Sequence, residues 1–373
     1  MKIKDFGVEI WMNLYEDRCD YNLAETCVES LTVEQVLDYS GEKEEVIDDI
    51  RKMKLTYGDI EGSVRLRNSI ANLYADKDLE NISVSHGAIG ANALTIMTLV
   101  ERGDKVVSVL PTYQQLYSIP ESIGAEVSIL KLKPENKFLP DLDELRKLVS
   151  EETKLICINN PNNPTGAVMD EKMLQEIVDI AREADAYILS DEVYRGLNHS
   201  GNSFSPSIAD LYEKGISTGS MSKTYSMAGI RLGWACGPKV FVKAVSRQRD
   251  YHVISCGMID DKLATIALEN KDKIIERNLD IVRTNIHILD EWINQEPLIS
   301  YVKPEGGTTA FLKYDIPIGS EELCFRLLQE KSVMLLPGKA MDMEGYLRIG
   351  FANSTSILTA GLDKFSEFLK QYR

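Results

Sequence analysis

The chain has 373 residues, and its 58 acidic against 42 basic side chains give a formal net charge of −16. A protein this acidic repels phosphate backbones and anionic lipids, and no basic run in the sequence provides a positively charged face. Nucleic-acid and membrane-surface binding are therefore not expected. No apolar run reaches the about 18 residues that span a bilayer. The start of the chain lacks the apolar stretch of a signal peptide, so we expect a cytoplasmic protein.

The six cysteines and four histidines are scattered, with no CxxC pair and no histidine at ligand spacing. Zinc sites and disulfide frameworks need tighter clusters than this. We therefore expect structural or incidental roles for these side chains and predict no metal site.

From about residue 60 to 240, short β-branched runs alternate with helical stretches, which indicates an α/β domain with a largely parallel sheet. The predicted strands are 105–110, 126–130, 154–159, 186–190, 215–219 and 232–236. The predicted helices are 63–75, 92–100, 141–149 and 170–184, the last capped by Asp170. Most of these strands are too apolar to have a wet face, so helices should cover both sides of the sheet.

Past residue 250 the pattern changes. Apolar residues recur there at steps of four and three, at Ile275, Leu279, Val282, Ile286, Leu289 and Ile293. This spacing predicts one long amphipathic helix packed on a core, because three heptads are too few to favour a coiled coil. A shorter α/β region follows and closes with a helix at about 357–370. Periodicity alone leaves the role of residues 1–50 open.

The most informative segment is SMSKTYSMAGIRLGW, residues 220–234. It places Lys223 just after an apolar strand, where a partly desolvated lysine loses its proton more easily and can attack a carbonyl to form a Schiff base. Ser220, Ser222 and Arg231 are placed to hold a phosphate beside it. For an isolated motif, a solvated lysine and a structural arginine would be the simpler interpretation.

Three further groups make sense together with this lysine. Asp191 ends an apolar strand, where a carboxylate can keep a pyridine nitrogen protonated, and Tyr194 can donate to a phenolic oxygen. Asn163 lies on a double-proline loop that would direct its amide toward the same oxygen. The segment GAIG at 87–90 precedes a helix, so its backbone N–H groups form an anion site. Phosphate, pyridine nitrogen, phenolic oxygen and aldehyde are the groups of pyridoxal phosphate (PLP).

These motifs, in this order, resemble the class I/II aminotransferases, which are aspartate aminotransferase-like PLP enzymes of fold type I, over roughly residues 30 to 370. The resemblance implies an α/β fold, with a mostly parallel seven-stranded sheet covered by helices in a large domain and a smaller α/β domain. We expect residues 51–250 to form the large PLP-binding domain. Residues 251–373 are expected to form the small domain with a long connecting helix, and residues 1–50 to be an N-terminal segment of that small domain.

The resemblance also implies roles for the matching residues. Lys223 would form the Schiff base with PLP, Asp191 would pair with the ring nitrogen, and Tyr194 and Asn163 would contact the ring hydroxyl. We thus expect Lys223, Asp191 and Tyr194 to act in catalysis. The residues expected at the phosphate are Gly87, Ala88, Ile89, Ser220, Ser222 and Arg231, with Ala88 and Ile89 contributing their amides.

Three more residues match family positions. Tyr113 matches the aromatic residue that stacks on the cofactor ring; a tyrosine in an ordinary loop is the alternative. Arg348 matches the arginine that binds the substrate α-carboxylate bidentately, with Asn163 also expected at the substrate; a salt-bridged arginine on a strand is the alternative. Tyr57 resembles the residue that reaches a neighbouring subunit's phosphate, which implies a homodimer with shared active sites.

The chain departs from the family pattern at two places. Ile89 offers only its backbone to the phosphate, where relatives often carry a hydroxyl or an acid–amide pair. The segment YNLAETC at 21–27 replaces a glycine-containing segment that lines the substrate pocket. We hypothesise that Glu25 faces the site and favours a substrate with a cationic or hydrogen-bonding side chain; a solvated or helix-capping glutamate is the simpler alternative.

The resemblance implies transfer of an amino group between an L-amino acid and a 2-oxo acid, with Lys223 moving the α-proton and the ring accepting electrons. A PLP-dependent carbon–sulfur β-lyase of the same fold is one alternative. A non-catalytic PLP-fold ligand sensor is another, although no basic helix-turn-helix precedes residue 50. The amino donor stays open, because no second arginine can be assigned to a dicarboxylate side chain.

Overall fold

The computed structural model describes residues 2–373 and consists of alternating strands and helices. The strands are β1 (Tyr21–Asn22), β2 (Ile82–His86), β3 (Lys105–Leu110), β4 (Glu126–Lys131), β5 (Thr153–Asn159), β6 (Tyr187–Asp191), β7 (Gly215–Ser220), β8 (Leu232–Cys236), β9 (Ile299–Tyr301), β10 (Thr309–Tyr314), β11 (Val333–Met334), β12 (Leu336–Pro337) and β13 (Tyr346–Gly350). The α-helices are α1 (Gly7–Tyr15), α2 (Val33–Ser40), α3 (Lys43–Lys52), α4 (Val64–Ala71), α5 (Gly87–Leu99), α6 (Gln115–Ile123), α7 (Leu142–Leu148), α8 (Glu171–Glu183), α9 (Ile208–Leu211), α10 (Lys239–Arg249), α11 (Met258–Glu269), α12 (Lys271–Gln295), α13 (Ser320–Lys331) and α14 (Thr355–Leu369).

A seven-stranded sheet in the order β2-β8-β7-β6-β5-β3-β4 forms the centre of the larger part. The pairs from β7 across to β4 are parallel, and β8 runs antiparallel to both of its neighbours. The predicted fold, an α/β architecture with a mostly parallel seven-stranded sheet, is confirmed. The carboxyl ends of β5, β6 and β7 meet at one edge of this sheet, where α/β proteins place their ligands.

Both faces of the sheet are buried, as the apolar strands predicted. Successive residues of β5 point to opposite cores: Ile156 and Ile158 pack with residues of α8, whereas Leu155 and Cys157 pack with residues of α5. This alternation is the period of a strand covered on both sides. Asp170 caps α8 by accepting a hydrogen bond from the Met173 amide at 2.8 Å, as predicted.

All six predicted strands agree with the structure to within one residue at each end, but one strand was not predicted and two helix boundaries need correction. Strand β2 was missed because its buried serines, Ser83 and Ser85, interrupt the apolar run. Helix α5 begins at Gly87 rather than at residue 92, so the glycine-containing turn is its first turn and not a loop before it. Helix α4 ends at Ala71 rather than at residue 75. Beyond its end, the Arg195 guanidinium donates a hydrogen bond of 2.9 Å to the Leu73 carbonyl.

The C-terminal part contains a second, antiparallel sheet in the order β12-β13-β10-β9. The predicted long amphipathic helix is α12, and the predicted closing helix is α14, which packs against α12 and α13. The N-terminal segment joins this part through β1, which pairs in parallel with β11. The domain boundaries at residues 50 and 250 stay a prediction. None of the helices over residues 2–373 has the length and apolar character needed to cross a membrane.

Candidate active site

A cavity of about 280 Å³ opens at the edge of the large sheet, where β5, β6 and β7 end. It brings together nearly all of the residues predicted for the site. The predicted residues that line it are Glu25, Ala88, Ile89, Tyr113, Asn163, Asp191, Tyr194, Ser220, Ser222, Lys223, Arg231 and Arg348. Gly87, which precedes Ala88 in the chain, and Tyr57 are not among the lining residues.

Lys223 follows β7 and points toward the N-terminal segment. Its Nζ donates hydrogen bonds to Thr26 Oγ1 at 2.6 Å and to Cys27 Sγ at 3.3 Å. Burial alone would lower the pKa of the Lys223 amine, but the nearby Cys27, Tyr194 and Glu25 outweigh burial and raise it. The expectation that the crevice would ease loss of the lysine proton is therefore wrong for this arrangement, because it did not foresee the groups of the N-terminal segment.

Glu25 lies on the cavity wall, with its Oε1 3.9 Å from Lys223 Nζ. The same oxygen accepts hydrogen bonds from the Thr26 and Cys27 amides at 2.6 and 2.7 Å. Burial would raise the pKa of the Glu25 carboxyl, but Lys223 and these hydrogen bonds outweigh it and lower the pKa to about 2. Glu25 is therefore an anion at neutral pH.

Strand β13 holds the segment that carries Glu25. The Gly350 amide donates to the Leu23 carbonyl at 2.8 Å, and Arg348 Nη2 donates to the Ala24 carbonyl at 2.9 Å. A Cβ atom at Gly350 would lie 1.7 Å from the Glu25 carbonyl oxygen, so only glycine permits this approach. The second sheet thus positions both Arg348 and the segment around Glu25 over the end of the large sheet.

Asp191 ends β6 as a buried carboxylate with neutral partners. Its two oxygens accept hydrogen bonds from Asn92 Nδ2 at 2.8 Å and from the Val193 amide at 3.2 Å. Asn92 is held in turn by Thr218, whose hydroxyl donates to Asn92 Oδ1 at 2.7 Å. Burial raises the pKa of Asp191, and the hydrogen bonds from Asn92 and Val193 only oppose this effect. A cation in the cavity would stabilise the charged form.

Two residues that line the cavity, Tyr194 and Arg348, each carry a buried polar atom without a hydrogen-bond partner among the described residues. Tyr194 is 1% exposed, and its hydroxyl makes no hydrogen bond with the described residues. Arg348 is 3% exposed, its Nε has no acceptor, and no described carboxylate lies within ion-pair distance of it. Its Nη1 contacts Asn163 Oδ1 at 3.4 Å. A buried guanidinium without a counterion is costly, so this position favours an anionic ligand.

The opposite end of the cavity suits a phosphate. The first-turn amides of α5, including those of Ala88 and Ile89, have no acceptor within the helix, and the helix dipole favours an anion there. Gly87 adopts a φ of +66°, and a Cβ atom on it would lie 3.1 Å from the Arg231 guanidinium. Ser220 ends β7 and Ser222 lies two residues beyond it, with the Ser222 amide donating a hydrogen bond to Ser220 Oγ at 3.3 Å.

The two remaining predicted tyrosines have different surroundings. Tyr113 lines the cavity, and its hydroxyl donates to Glu9 Oε1 at 2.7 Å, while its ring packs against Phe6. Tyr57 is 70% exposed and borders a separate cavity of about 560 Å³ that shares no residue with the first. The structure does not bring Tyr57 to the site of its own chain.

Sequence reasoning missed four residues that shape this site. Asn92 carried a usable signal, since a single asparagine in the apolar helix α5 needs a buried partner. Thr26 and Cys27 adjoin Glu25 but were not connected with Lys223. Glu9 comes from α1, a segment whose role periodicity left open. Over residues 2–373, no set of three or more His, Cys, Asp or Glu side chains is arranged to hold a metal ion.

The unsatisfied groups of the cavity match the groups of PLP one by one. The start of α5, together with Arg231, favours an anion, and Asp191 favours a cation. The Tyr194 hydroxyl lacks a hydrogen-bond partner, which a polar oxygen would supply. Lys223 supplies the amine that an aldehyde would need. Arg348 is not needed for any of these groups and is available to bind the carboxylate of a second molecule. The residues present therefore fit PLP together with an amino acid.

Comparisons with known proteins agree with this fit. The sequence model for "aminotransferase class I and II" matches residues 25–361. The crystal structure of a PLP-dependent aminotransferase from Streptococcus suis superposes with a TM-score of 0.97 at 45% identity, over 100% of this chain and 99% of that one.

Two named relatives are similar over most of their length. Capreomycidine synthase from Streptomyces vinaceus is 33% identical over 83% of this chain and 79% of its own. Aspartate aminotransferase from Pyrococcus horikoshii is 30% identical over 83% of this chain and 82% of its own. The chain belongs to the class I and II aminotransferases, a family of PLP-dependent transferases. It is an enzyme of that class, so the non-catalytic sensor is no longer favoured.

Proposed function

We propose that the protein binds PLP in the 280 Å³ cavity and transfers an amino group between an L-amino acid and a 2-oxo acid. The observation that carries this proposal is that one cavity is lined by Lys223, by the buried carboxylate of Asp191 and by the guanidinium of Arg348, which has no carboxylate partner among the described residues. A catalyst for this reaction needs an amine, a partner for the ring nitrogen and a carboxylate binder, and each of the three residues supplies one of them.

When bound, PLP supplies an aldehyde for attachment to an amine and a ring that accepts the electrons left after removal of the α-proton. Asp191 holds the ring nitrogen protonated, with Asn92 and Thr218 positioning its carboxylate. Tyr194 and Asn163 bind the ring oxygen, and Tyr113 covers the ring. The amides of α5, with Ser220, Ser222 and Arg231, bind the phosphate.

Two residues act on the amino acid. Arg348 binds its α-carboxylate, which orients the bonds at the α-carbon. Lys223 carries the one side-chain amine among the described residues that line the cavity, so it is the base that removes the α-proton and the acid that returns it. Thr26, which accepts a hydrogen bond from Lys223 Nζ at 2.6 Å, holds the amine in place.

A half-reaction experiment tests the transfer. The PLP-loaded protein is mixed with single amino acids in the absence of any 2-oxo acid, and the products are quantified. Transamination predicts a stoichiometric amount of 2-oxo acid and conversion of the cofactor to its amine form, with turnover only after a 2-oxo acid is added. Continuous release of pyruvate and ammonia from cystathionine without an acceptor would instead establish the β-lyase.

We also propose that two copies form a dimer with shared sites, in the cytoplasm. In support, Tyr57 is absent from the lining of its own site and is 70% exposed, and Leu55, two residues before it, is 82% exposed. Apolar side chains exposed to this degree mark an interaction surface when they cluster. The absence of disulfides among the described cysteines fits a reducing compartment.

A further inference from the structure

The mouth of the active-site cavity carries three carboxylates on one wall. Glu9 and Glu16 come from α1 and the turn that follows it, and Glu25 comes from the segment after β1. Burial and the negative charges of the neighbouring Asp17, Glu25 and Glu9 raise the pKa of Glu16, so these carboxylates are close enough to interact electrostatically. We define Glu9, Glu16 and Glu25 as the acidic wall.

Each carboxylate of the acidic wall keeps bonding capacity for a ligand. Glu9 accepts one hydrogen bond, from Tyr113, on Oε1. Glu25 accepts its two backbone hydrogen bonds on Oε1 alone. The Glu16 carboxylate has no hydrogen bond or ion pair with the rest of the described chain. Carboxylates held together in this way favour a cation that approaches between them.

The basic groups of the cavity do not compensate the wall once the cofactor and the amino acid are bound. The cavity lining contains three of them, Lys223, Arg231 and Arg348. In the proposed function, Arg231 meets the phosphate, Lys223 is engaged with the cofactor, and Arg348 meets the α-carboxylate. Arg348 lines the same cavity, is 3% exposed and has an unpartnered Nε, so it is the residue available for that carboxylate.

We propose that the substrate is an amino acid whose side chain ends in a cation, an ammonium or a guanidinium, which the acidic wall binds. The inference rests on the proposed function, since it takes Arg348 as the α-carboxylate site. Arg348 and the wall then act as two poles that bind the two ends of the substrate. A substrate with a side-chain carboxylate is disfavoured, because its second anion would meet Glu9, Glu16 and Glu25.

Non-reactive analogues test the side-chain preference without requiring turnover. The PLP-loaded protein is titrated calorimetrically with 5-guanidinopentanoate, with hexanoate and with adipate, which share a carboxylate but end in a cation, a methyl group and an anion. We expect the cation to bind about tenfold more tightly than hexanoate at low salt, equivalent to about 1.4 kcal/mol, and adipate to bind most weakly. Added salt should reduce the preference.

A triple variant, Glu9→Gln, Glu16→Gln and Glu25→Gln, should bring the ratio of the two dissociation constants close to one. The matched control replaces three exposed glutamates outside the cavity and without ion pairs, Glu151, Glu183 and Glu322, by glutamine, and should keep the preference. Equal binding of the three analogues, tighter binding of adipate, or an unchanged preference in the triple variant would overturn the proposal. Because the analogues lack an α-amine, a failed half-reaction refutes the proposed transfer but leaves this test standing.

Discussion

Glu25 and Lys223 face each other in the cavity, with 3.9 Å between Glu25 Oε1 and Lys223 Nζ. The pair joins the N-terminal segment to the end of β7 across almost 200 residues of sequence, since Lys223 also bonds Thr26 at a sequence separation of 197. With Cys27 and Tyr194, the carboxylate favours the charged form of this amine in the cofactor-free protein. The N-terminal segment therefore helps to line the candidate active site.

The pair has a measurable acid dependence. The Glu25 pKa lies at about 2, below its ordinary value of 4.5, so its contribution to stability is present above pH 4.5 and is lost as the pH falls toward 2. Because the Glu25 side chain is 38% exposed, solvent screens the pair, and we expect Glu25 to contribute about 1 kcal/mol to the free energy of unfolding rather than the full effect of its pKa shift. Urea unfolding of wild type and Glu25→Gln between pH 6 and pH 2.5 measures it, with a smaller acid loss expected in the variant. Parallel curves would contradict the pairing.

Asp191 has the opposite pH dependence in the cofactor-free protein. Burial raises its folded-state pKa, so the folded state binds the proton more tightly and stability falls as the pH rises through that pKa. Asp191→Asn should remove this decline. PLP should stabilise wild type more than the variant, because the ring nitrogen pairs with the charged carboxylate. Thermal melts with and without PLP across the pH range check both effects, and equal stabilisation by PLP would rule out the pairing of Asp191 with the ring.

Replacement of Arg348 should separate carboxylate binding from the rest of the chemistry. Arg348→Lys keeps the charge but loses the two-pronged geometry, so we expect the amino-acid concentration at half-maximal rate to rise about 30-fold, or about 2 kcal/mol. The control substrate is butylamine, which lacks the carboxylate and should react equally with both proteins. An equal loss with butylamine would mean that Arg348 acts in another way.

Shared sites in a dimer can be tested by complementation. Tyr57→Ala and Lys223→Ala each impair both sites of their own homodimer, but a mixed dimer contains one site with neither change. Unfolding and refolding the two variants together should therefore yield more activity than either variant refolded alone. Leu55→Glu should shift the sedimentation of the protein toward the monomer, whereas Val240→Glu, a control at an apolar residue that is 70% exposed, should not. Absence of complementation would argue that each chain completes its own site.

Site residues that lie at the ends of strands could be predicted from the sequence. Site residues that reach the cavity only through pairing between distant segments could not. Asp191 and Lys223 follow apolar strands of a parallel sheet, and such strands direct their carboxyl ends to one edge. Glu9, Thr26 and Cys27 reach the same edge only because β1 pairs with β11 and because β13 holds the segment around Glu25. Local pattern contains no information about that pairing. The raised pKa of Lys223 depends on these distant groups, which is why burial alone predicted the wrong direction.

Lys223 is the lysine that we propose binds the cofactor. Borohydride reduction of the PLP-loaded protein, followed by proteolysis and mass spectrometry, tests this assignment directly. We expect one pyridoxyl phosphate group per chain, on the peptide that contains Lys223, and none in Lys223→Ala, which should still fold and bind PLP through Asp191, Arg231 and the start of α5. A modified lysine elsewhere in the chain, or full turnover by Lys223→Ala, would contradict the assignment.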